Sequence, residues 1–370
     1  MKILKYIALT LILLNIPTFS LHYLGPLFGS ITNLLLFVSV IIYFFFAEKS
    51  KPVWPFIVLG ICFFIFSGLQ YSGDTTELIK DAVRYFIFII CVNQITKKTT
   101  DTELLIFLLI GALSIAVNAI VFPDSFGRYG GFYLNANKAG FICLFGFTLS
   151  YIIKNYKLKL LIQFTLIVCG IFTLSRSFLL FLVVINLVSI FANKKNIQTL
   201  AIGSIALVFI FTASTLQLNK ARFSALKSVF SSSEEIETQT ITEGSRDETW
   251  FYFSDLITNN IIAGAGYKSM RGASSLVTVE YGVHNTFLMV LGEAGIIAFL
   301  LIVIIYLAMT IRSFKYLRKN QEYAYLAIAI VGYLMVAHNY FEKYDVLFVS
   351  IWLYHKVRQE IPLEVENIEE

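Results

Sequence analysis

The sequence predicts an all-α polytopic membrane protein, and three observations carry that prediction. Of its 370 residues, 57% are hydrophobic and only 14% are charged, where ordinary soluble domains carry about 25% charge. The apolar residues gather into runs such as 27–46 and 287–311, and a helix needs about 20 of them to cross roughly 30 Å of hydrocarbon. Lysine and arginine recur in alternate short connections between the runs, which is the pattern that orients membrane helices.

Taken in order, the apolar segments are 4–21, 27–46, 53–70, 78–95, 104–122, 139–153, 158–175, 177–192, 197–216, 286–311, 322–340 and 345–357, about 12 transmembrane helices. Lys2 and Lys5 precede the first run as they would in a secretory signal, but the run ends in PTFSLHY without a small-residue cleavage site. It is therefore expected to stay as a first helix, with Pro17 near its outer end. The seventh and eighth runs are joined only by Ser175-Arg176-Ser177. One uninterrupted helix there would be too long for a bilayer, so a break at Arg176 is expected. Three regions result: helices one to nine over 1–216, one large outer (periplasmic) loop with short helices over 217–285, and helices ten to twelve with a cytoplasmic tail over 286–370.

With the N-terminus inside, the inner connections hold Lys2, Lys5, Lys49, Lys51, Lys97, Lys98, Lys154, Lys157, Lys159, Lys194, Lys195, Arg312, Lys315, Arg318, Lys319, Lys356 and Arg358, most of the 29 basic residues. Both termini are then expected to be cytoplasmic in a multi-pass membrane protein. The net charge of +5 reports loop orientation and points to no nucleic acid. The four cysteines, Cys62, Cys91, Cys143 and Cys169, lie inside apolar runs without paired spacing, so they read as small core residues. Gly264-Ala-Gly-Tyr-Lys-Ser269 has the wrong glycine spacing for a nucleotide-phosphate loop, which argues against a nucleotide-driven pump.

The same topology places Arg128, Arg176, Arg246, His284 and His338 on the outer side. In Pro123 to Gly140 (PDSFGRYGGFYLNANKAG), Gly127, Gly130 and Gly131 permit tight turns beside Arg128. Asn135, Asn137 and Lys138 start the next helix, with Asn137 as the expected N-cap. Arg128 reads equally as a snorkelling side chain or as part of a site. Arg176 sits almost without a loop between two apolar runs. An arginine so near hydrocarbon costs a few kcal/mol unless it meets an anion, whether a lipid headgroup or a substrate phosphate.

In the long loop, 228–243 (SVFSSSEEIETQTITE) has weak apolar content. Ser245-Arg246-Asp247-Glu248 then has the spacing of a capping box, and Trp250, Phe253 and Ile257 fall on one face of the helix it starts. Arg246 in that first turn gains nothing from the helix dipole, which makes sense beside a bound anion, although Asp247 and Glu248 can also pair with it. His284 precedes Asn285 and Thr286, which cap the tenth segment, and a histidine there is a natural general base. Glu293, within an apolar helix between Gly292 and Gly295, is an intramembrane carboxylate and so a functional candidate. His338 and Glu342 at the end of the eleventh segment are weaker candidates of the same kind.

The order RYGGFYLNANKAG, TLSR, GSRDETW, GAGYKSM and HNTFLMVLGEAGII resembles the O-antigen polymerase and ligase family: Wzy-type repeat-unit polymerases and the ligases that join polysaccharide to lipid A–core. The likeness covers roughly residues 125 to 305. It implies a GT-C-like membrane glycosyltransferase that inverts the anomeric centre, uses no metal or cofactor, and takes an undecaprenyl-diphosphate-linked oligosaccharide as donor. By motif position, the resemblance implies that Arg176 and Arg246 grip the diphosphate and that His284 helps to activate the acceptor hydroxyl. Arg128, Asn135, Asn137, Lys138, Glu293 and His338 are the accompanying candidates for lining the substrate site. Partners implied are membrane lipids and a polysaccharide chain-length regulator.

Asn135-Ala136-Asn137 departs from the family's usual proline before the second asparagine. The asparagine loop and TLSR favour a polymerase over a ligase. A transporter of lipid-linked oligosaccharide, the reading from another class, would show repeated halves and midplane charges. Here no repeat is evident, and the polar residues gather at one interface.

Overall fold

A computed structural model describes residues 1–123, 127–198, 246–272 and 282–359, with the backbone alone at 246–249 and 359. Among these residues the regular structure is helical and no strand occurs. The helices are α1 Lys2–Leu13, α2 Ile16–Leu24, α3 Pro26–Phe46, α4 Trp54–Leu69, α5 Thr75–Lys98, α6 Asp101–Val121, α7 Ala136–Leu149, α8 Tyr156–Phe172, α9 Arg176–Ala192, α10 Arg246–Asn259, α11 Thr286–Lys315, α12 Gln321–Leu334 and α13 Tyr344–Gln359. Three of them, α3, α6 and α11, are each long and apolar enough to cross a membrane, and a fourth span arises if α1 and α2 are counted as one bent crossing. Large apolar side chains such as Phe45, Phe46, Leu180 and Phe191 point outward. A surface of that kind belongs in lipid.

α7 lies at the centre. Every residue from Lys138 to Leu149 is buried, as expected of a helix that is apolar all round. α6, α8, α9 and α12 pack around it, while α11 lies on α4 and α12, and α13 lies on α5. The fully buried Phe56, Phe63, Phe88, Phe141, Tyr325 and Trp352 fill the spaces between the helices.

One end of the bundle is tied by charge. Thr100 and Glu103 form a capping box at the start of α6. Lys5 reaches Glu103 at 2.7 Å, Lys98 reaches Glu48 at 2.7 Å, and Lys356 pairs with Asp101. Trp352 donates its indole N–H to the Thr99 carbonyl at 2.9 Å. The start of α1 and the last turns of α13 therefore meet at the α5–α6 turn, at one end of the bundle.

At the opposite end the helices are interrupted. The break expected at Arg176 is present: α8 stops at Phe172, Leu174 takes a left-handed φ of 45°, and Ser175 caps α9. Three expected continuous segments are broken: 4–21, 322–340 and, at Gly295, 286–311. Segment 4–21 divides at Leu14-Asn15, where the axis bends by 62°. Pro17 has no N–H to donate and its ring excludes the carbonyl four residues back, so the helix restarts instead of continuing. Segment 322–340 ends at Leu334, and Met335 to Lys343 run as turns with one 3-10 turn, Tyr340–Glu342. The segment expected at 197–216 lies outside the described residues apart from its first two positions, as does much of the 217–285 loop.

Irregular backbone at membrane depth survives only where protein covers it or where it lines a cavity. α11 shows how this is done. Gly295 breaks it with φ 77° and ψ −173°, a conformation open to glycine. The released groups then pair with the segment after α10: Ile296 N–H donates to Ile261 O at 2.9 Å, Ala265 N–H to Gly292 O at 2.6 Å, and Gly266 N–H to Glu293 O at 3.2 Å. The 260–272 segment is thereby bound along the broken helix and continues to Arg271.

Candidate functional site

Two groups of polar residues form at the interrupted end. The first joins the Gly127–Asn137 loop to the α8–α9 break. Tyr129 N–H donates to Phe172 O at 3.3 Å. Arg128 donates through Nε to Thr173 O at 3.4 Å and through Nη2 to Asn137 Oδ1 at 3.3 Å, and the Ser175 hydroxyl donates to the same Asn137 oxygen at 3.1 Å. Asn137 is thus occupied as a bridge. The expected N-cap role belongs to Asn135, whose Oδ1 accepts from Lys138 N–H at 3.0 Å, because α7 begins two residues earlier than expected, at Ala136. Lys138 extends inward to Asp345 at 2.9 Å, with both side chains almost fully buried. Arg176 follows Ser175 as the first residue of α9 and is exposed. The backbone of Arg246 opens α10 as expected, and its side chain lies outside the described residues.

The second group surrounds His284, which stands at the entry to α11 with φ 47°. Each neighbouring residue is pinned. Val283 N–H donates to Met270 O at 3.0 Å, Trp250 Nε1 donates to Val283 O at 3.0 Å, and Thr286 Oγ1 donates to Ala337 O at 2.7 Å. Asn285 caps α11, accepting from Phe287 N–H at 2.9 Å and Leu288 N–H at 3.2 Å. Phe253 and Ile257 are buried, so the apolar face of α10 packs on the bundle and helps to support this segment.

The result is a contact between two imidazoles: His284 Nδ1 lies 3.1 Å from His338 Nδ1, with ring centroids 4.5 Å apart. At that distance one nitrogen carries the proton and the other accepts it. His338 is pushed down from the ordinary histidine range to about 3, first by burial and then by its neighbours His284, Arg271 and Lys343. It is neutral at physiological pH. Gly282 lies against its ring so closely that an added Cβ would stand 2.7 Å from Nε2.

Arg271 organises the rest. Its guanidinium meets Glu293 twice, at 3.1 Å through Nε and 3.4 Å through Nη2, and its Nη1 pairs with Glu342. Its flat face rests 4.9 Å above the ring of Tyr267, whose hydroxyl donates to Asp81 at 2.9 Å. Lys268 pairs with Glu77 at 2.6 Å, fastening the same segment to α5. Glu293, fully buried on α11, is therefore the anchor of an ion pair. The sequence reading did not single out Arg271. The signal available was Glu293 itself, since a carboxylate inside an apolar helix requires a cation, and Arg271 lies in the same outer loop as His284.

The structure thus brings His284, His338 and Glu293 to one locus through Arg271, and Arg128, Asn135, Asn137 and Arg176 to another, with Lys138 running between them toward Asp345. Among the described residues no three His, Cys, Asp or Glu side chains come close enough to share a metal ion.

Residues 161–303 match the family described as O-antigen ligase. The likeness covers under half of the chain. That match supports the O-antigen polymerase and ligase family seen in the motif order, and with it a role in assembling O-antigen or related surface polysaccharide. The matched stretch begins in α8, ends in α11, and includes Arg176, Arg246, Arg271, His284 and Glu293, whereas Arg128, Lys138 and His338 fall outside it. No curated protein matches the chain.

Proposed function

We propose that this protein is an inverting membrane glycosyltransferase. It transfers an oligosaccharide from a polyprenyl diphosphate, of the undecaprenyl type, to an acceptor sugar hydroxyl at the outer face of the bacterial inner membrane. The reading includes about 12 spans with both termini inside, and it takes polymerisation of repeat units as the reaction. The observation that carries it is the His284–His338 pair at the helix-free entry to α11, held by backbone contacts on every side.

When His284 Nδ1–H donates to the Nδ1 of neutral His338, the Nε2 of His284 keeps a lone pair directed away from the pair. The acceptor hydroxyl passes its proton to that nitrogen as its oxygen bonds to the anomeric carbon. The bond from that carbon to the phosphate oxygen breaks on the opposite face, and the lipid diphosphate departs with the electron pair. General-base help of this kind contributes about 10²–10⁴-fold. The diphosphate is already an activated leaving group, so the chemistry itself asks for no metal or nucleotide. The charge that develops on it falls to arginines, Arg176 and Arg246, with Arg128 alongside; such stabilisation is commonly the largest catalytic contribution. Arg271, saturated by two carboxylates, holds the loop that carries His284.

The family description favours a second reading, ligation of finished polysaccharide to lipid A–core. The test is transfer by purified protein from a lipid-linked donor, with and without lipid A–core, comparing wild type with His284→Ala. A ladder without core supports polymerisation, and product only with core supports ligation. If His284→Ala transfers at the wild-type rate, the base assignment is wrong.

A further inference from the structure

Beside the site, α1, α2, α3 and the start of α13 enclose a cavity whose polar lining is Asn15, Thr18, Asn33, Glu342, Lys343 and Asp345. It lies where two helix interruptions meet: the bend at Asn15 and the irregular stretch that ends at Lys343. Backbone broken at this depth is expected to line a cavity with a polar occupant.

The charges at the cavity are balanced in an unusual way. Glu342 is held by Arg271 and Asp345 by Lys138. Lys343, largely buried, is pushed below the usual lysine range by its burial, and its ammonium makes no ion pair or hydrogen bond among the described residues. Counting Glu293, three carboxylates stand against three cations around this wall. The cavity therefore has no net charge with which to select an ion. What remains is the Asn33 amide and the Lys343 ammonium, since the Thr18 hydroxyl donates to Asn15 Oδ1 at 3.0 Å and Asn15 Nδ2 donates to Phe132 O at 3.2 Å; Leu36 and Tyr344 add apolar surface to the same lining. Polar edges against an apolar face match a pyranose ring, which carries hydroxyls around its rim and C–H groups on its faces. Glu342, which lines the cavity, pairs with Arg271, so the cavity adjoins the ion-paired loop beside the histidine pair.

We propose that this cavity is a subsite for one uncharged sugar ring, with Lys343 and Asn33 as its specificity-determining residues. Assigning the ring to the acceptor oligosaccharide rests on the glycosyl-transfer reading; the preference of the cavity for an uncharged glycoside does not.

The test is saturation-transfer NMR on the full-length protein in nanodiscs. The probes are the methyl glycosides of glucose, galactose, mannose, rhamnose and N-acetylglucosamine, with inorganic diphosphate as the anionic comparison. At least one glycoside binds wild type, and Lys343→Met and Asn33→Leu each weaken it by about tenfold, the worth of one or two hydrogen bonds, while diphosphate binding is unchanged. The proposal is overturned if no glycoside in the panel binds, if binding survives both substitutions, or if the substitutions remove diphosphate binding instead. Should either variant fail to fold, Asn33→Cys supplies a second reading. Its modification by methyl methanethiosulfonate slows when the binding glycoside is present, and an unchanged rate overturns the proposal. If wild type binds a glycoside yet transfers nothing from a lipid-linked donor, it is the glycosyl-transfer reading that fails and the sugar subsite that stands.

Discussion

Arg271→Met is the substitution whose cost follows most directly from the structure. The Glu293 carboxylate is fully buried and is paired with the Arg271 guanidinium, at 3.1 and 3.4 Å. Methionine preserves much of the side-chain volume and removes the charge, leaving a carboxylate stranded in the protein interior. Stranding one member of a buried pair costs about 3–5 kcal/mol, a large share of a typical total of about 5–15 kcal/mol. Glu293→Gln in the same chain removes the stranded charge, so the double variant recovers most of the loss. Arg271 retains Glu342 when Glu293 alone is replaced, so Glu293→Gln is the milder single change. The assay is reversible unfolding in mixed micelles, titrated with a denaturing detergent, on wild type, both single variants and the double. A coupling of at least about 2 kcal/mol is expected. An Arg271→Met loss under about 1 kcal/mol, or additive effects, would refute the claim that this pair holds the loop.

Gly295→Ala places a Cβ 2.1 Å from Ile262 O at a φ of 77°. Beyond about 1–2 kcal/mol of backbone strain, it forces the 260–266 segment off α11, so transfer activity falls steeply while membrane insertion persists; activity assays alongside membrane fractionation check this. His338 gives a pH prediction. Its native value, about 3, lies below its unfolded value, so the unfolded chain takes the proton first. Stability is level above about pH 7 and declines as pH falls from about 6.5 toward 3. His338→Gln flattens that decline in thermal unfolding profiles. Asn137→Ala removes the shared acceptor of Arg128 and Ser175 and, at about 1 kcal/mol per hydrogen bond, raises the donor KM several-fold with little change in kcat, read from initial-rate kinetics.

Much of this arrangement was legible in the sequence, and what was not has physical causes. The break before Arg176 could be read from length alone, since the combined apolar run exceeds a bilayer. The break at Asn15 was hidden because Pro17 is equally at home ending a helix or beginning one, and here it opens α2. No proline or glycine follows α12 directly after Leu334; the irregular stretch there is held by tertiary contacts such as Thr286 Oγ1 to Ala337 O. The N-cap was placed on Asn137 where Asn135 serves, because two asparagines two residues apart offer the same chemistry. His284, Glu293 and His338 stood out as polar groups at apolar segments. Arg271 did not, because its partners lie 22 and 71 residues away, and such pairings leave no local pattern.

The central claim is that His284 takes the acceptor proton while a lipid diphosphate leaves. The most direct measurement is single-turnover transfer by purified protein from a polyprenyl-diphosphate-linked repeat unit, with wild type and His284→Ala compared at saturating donor. A wild-type burst of polysaccharide and free lipid diphosphate in equal amounts, slowed by about 10²-fold or more in the variant with donor binding intact, is the result the account predicts. Equal single-turnover rates in the two proteins, or loss of donor binding alone, would contradict it.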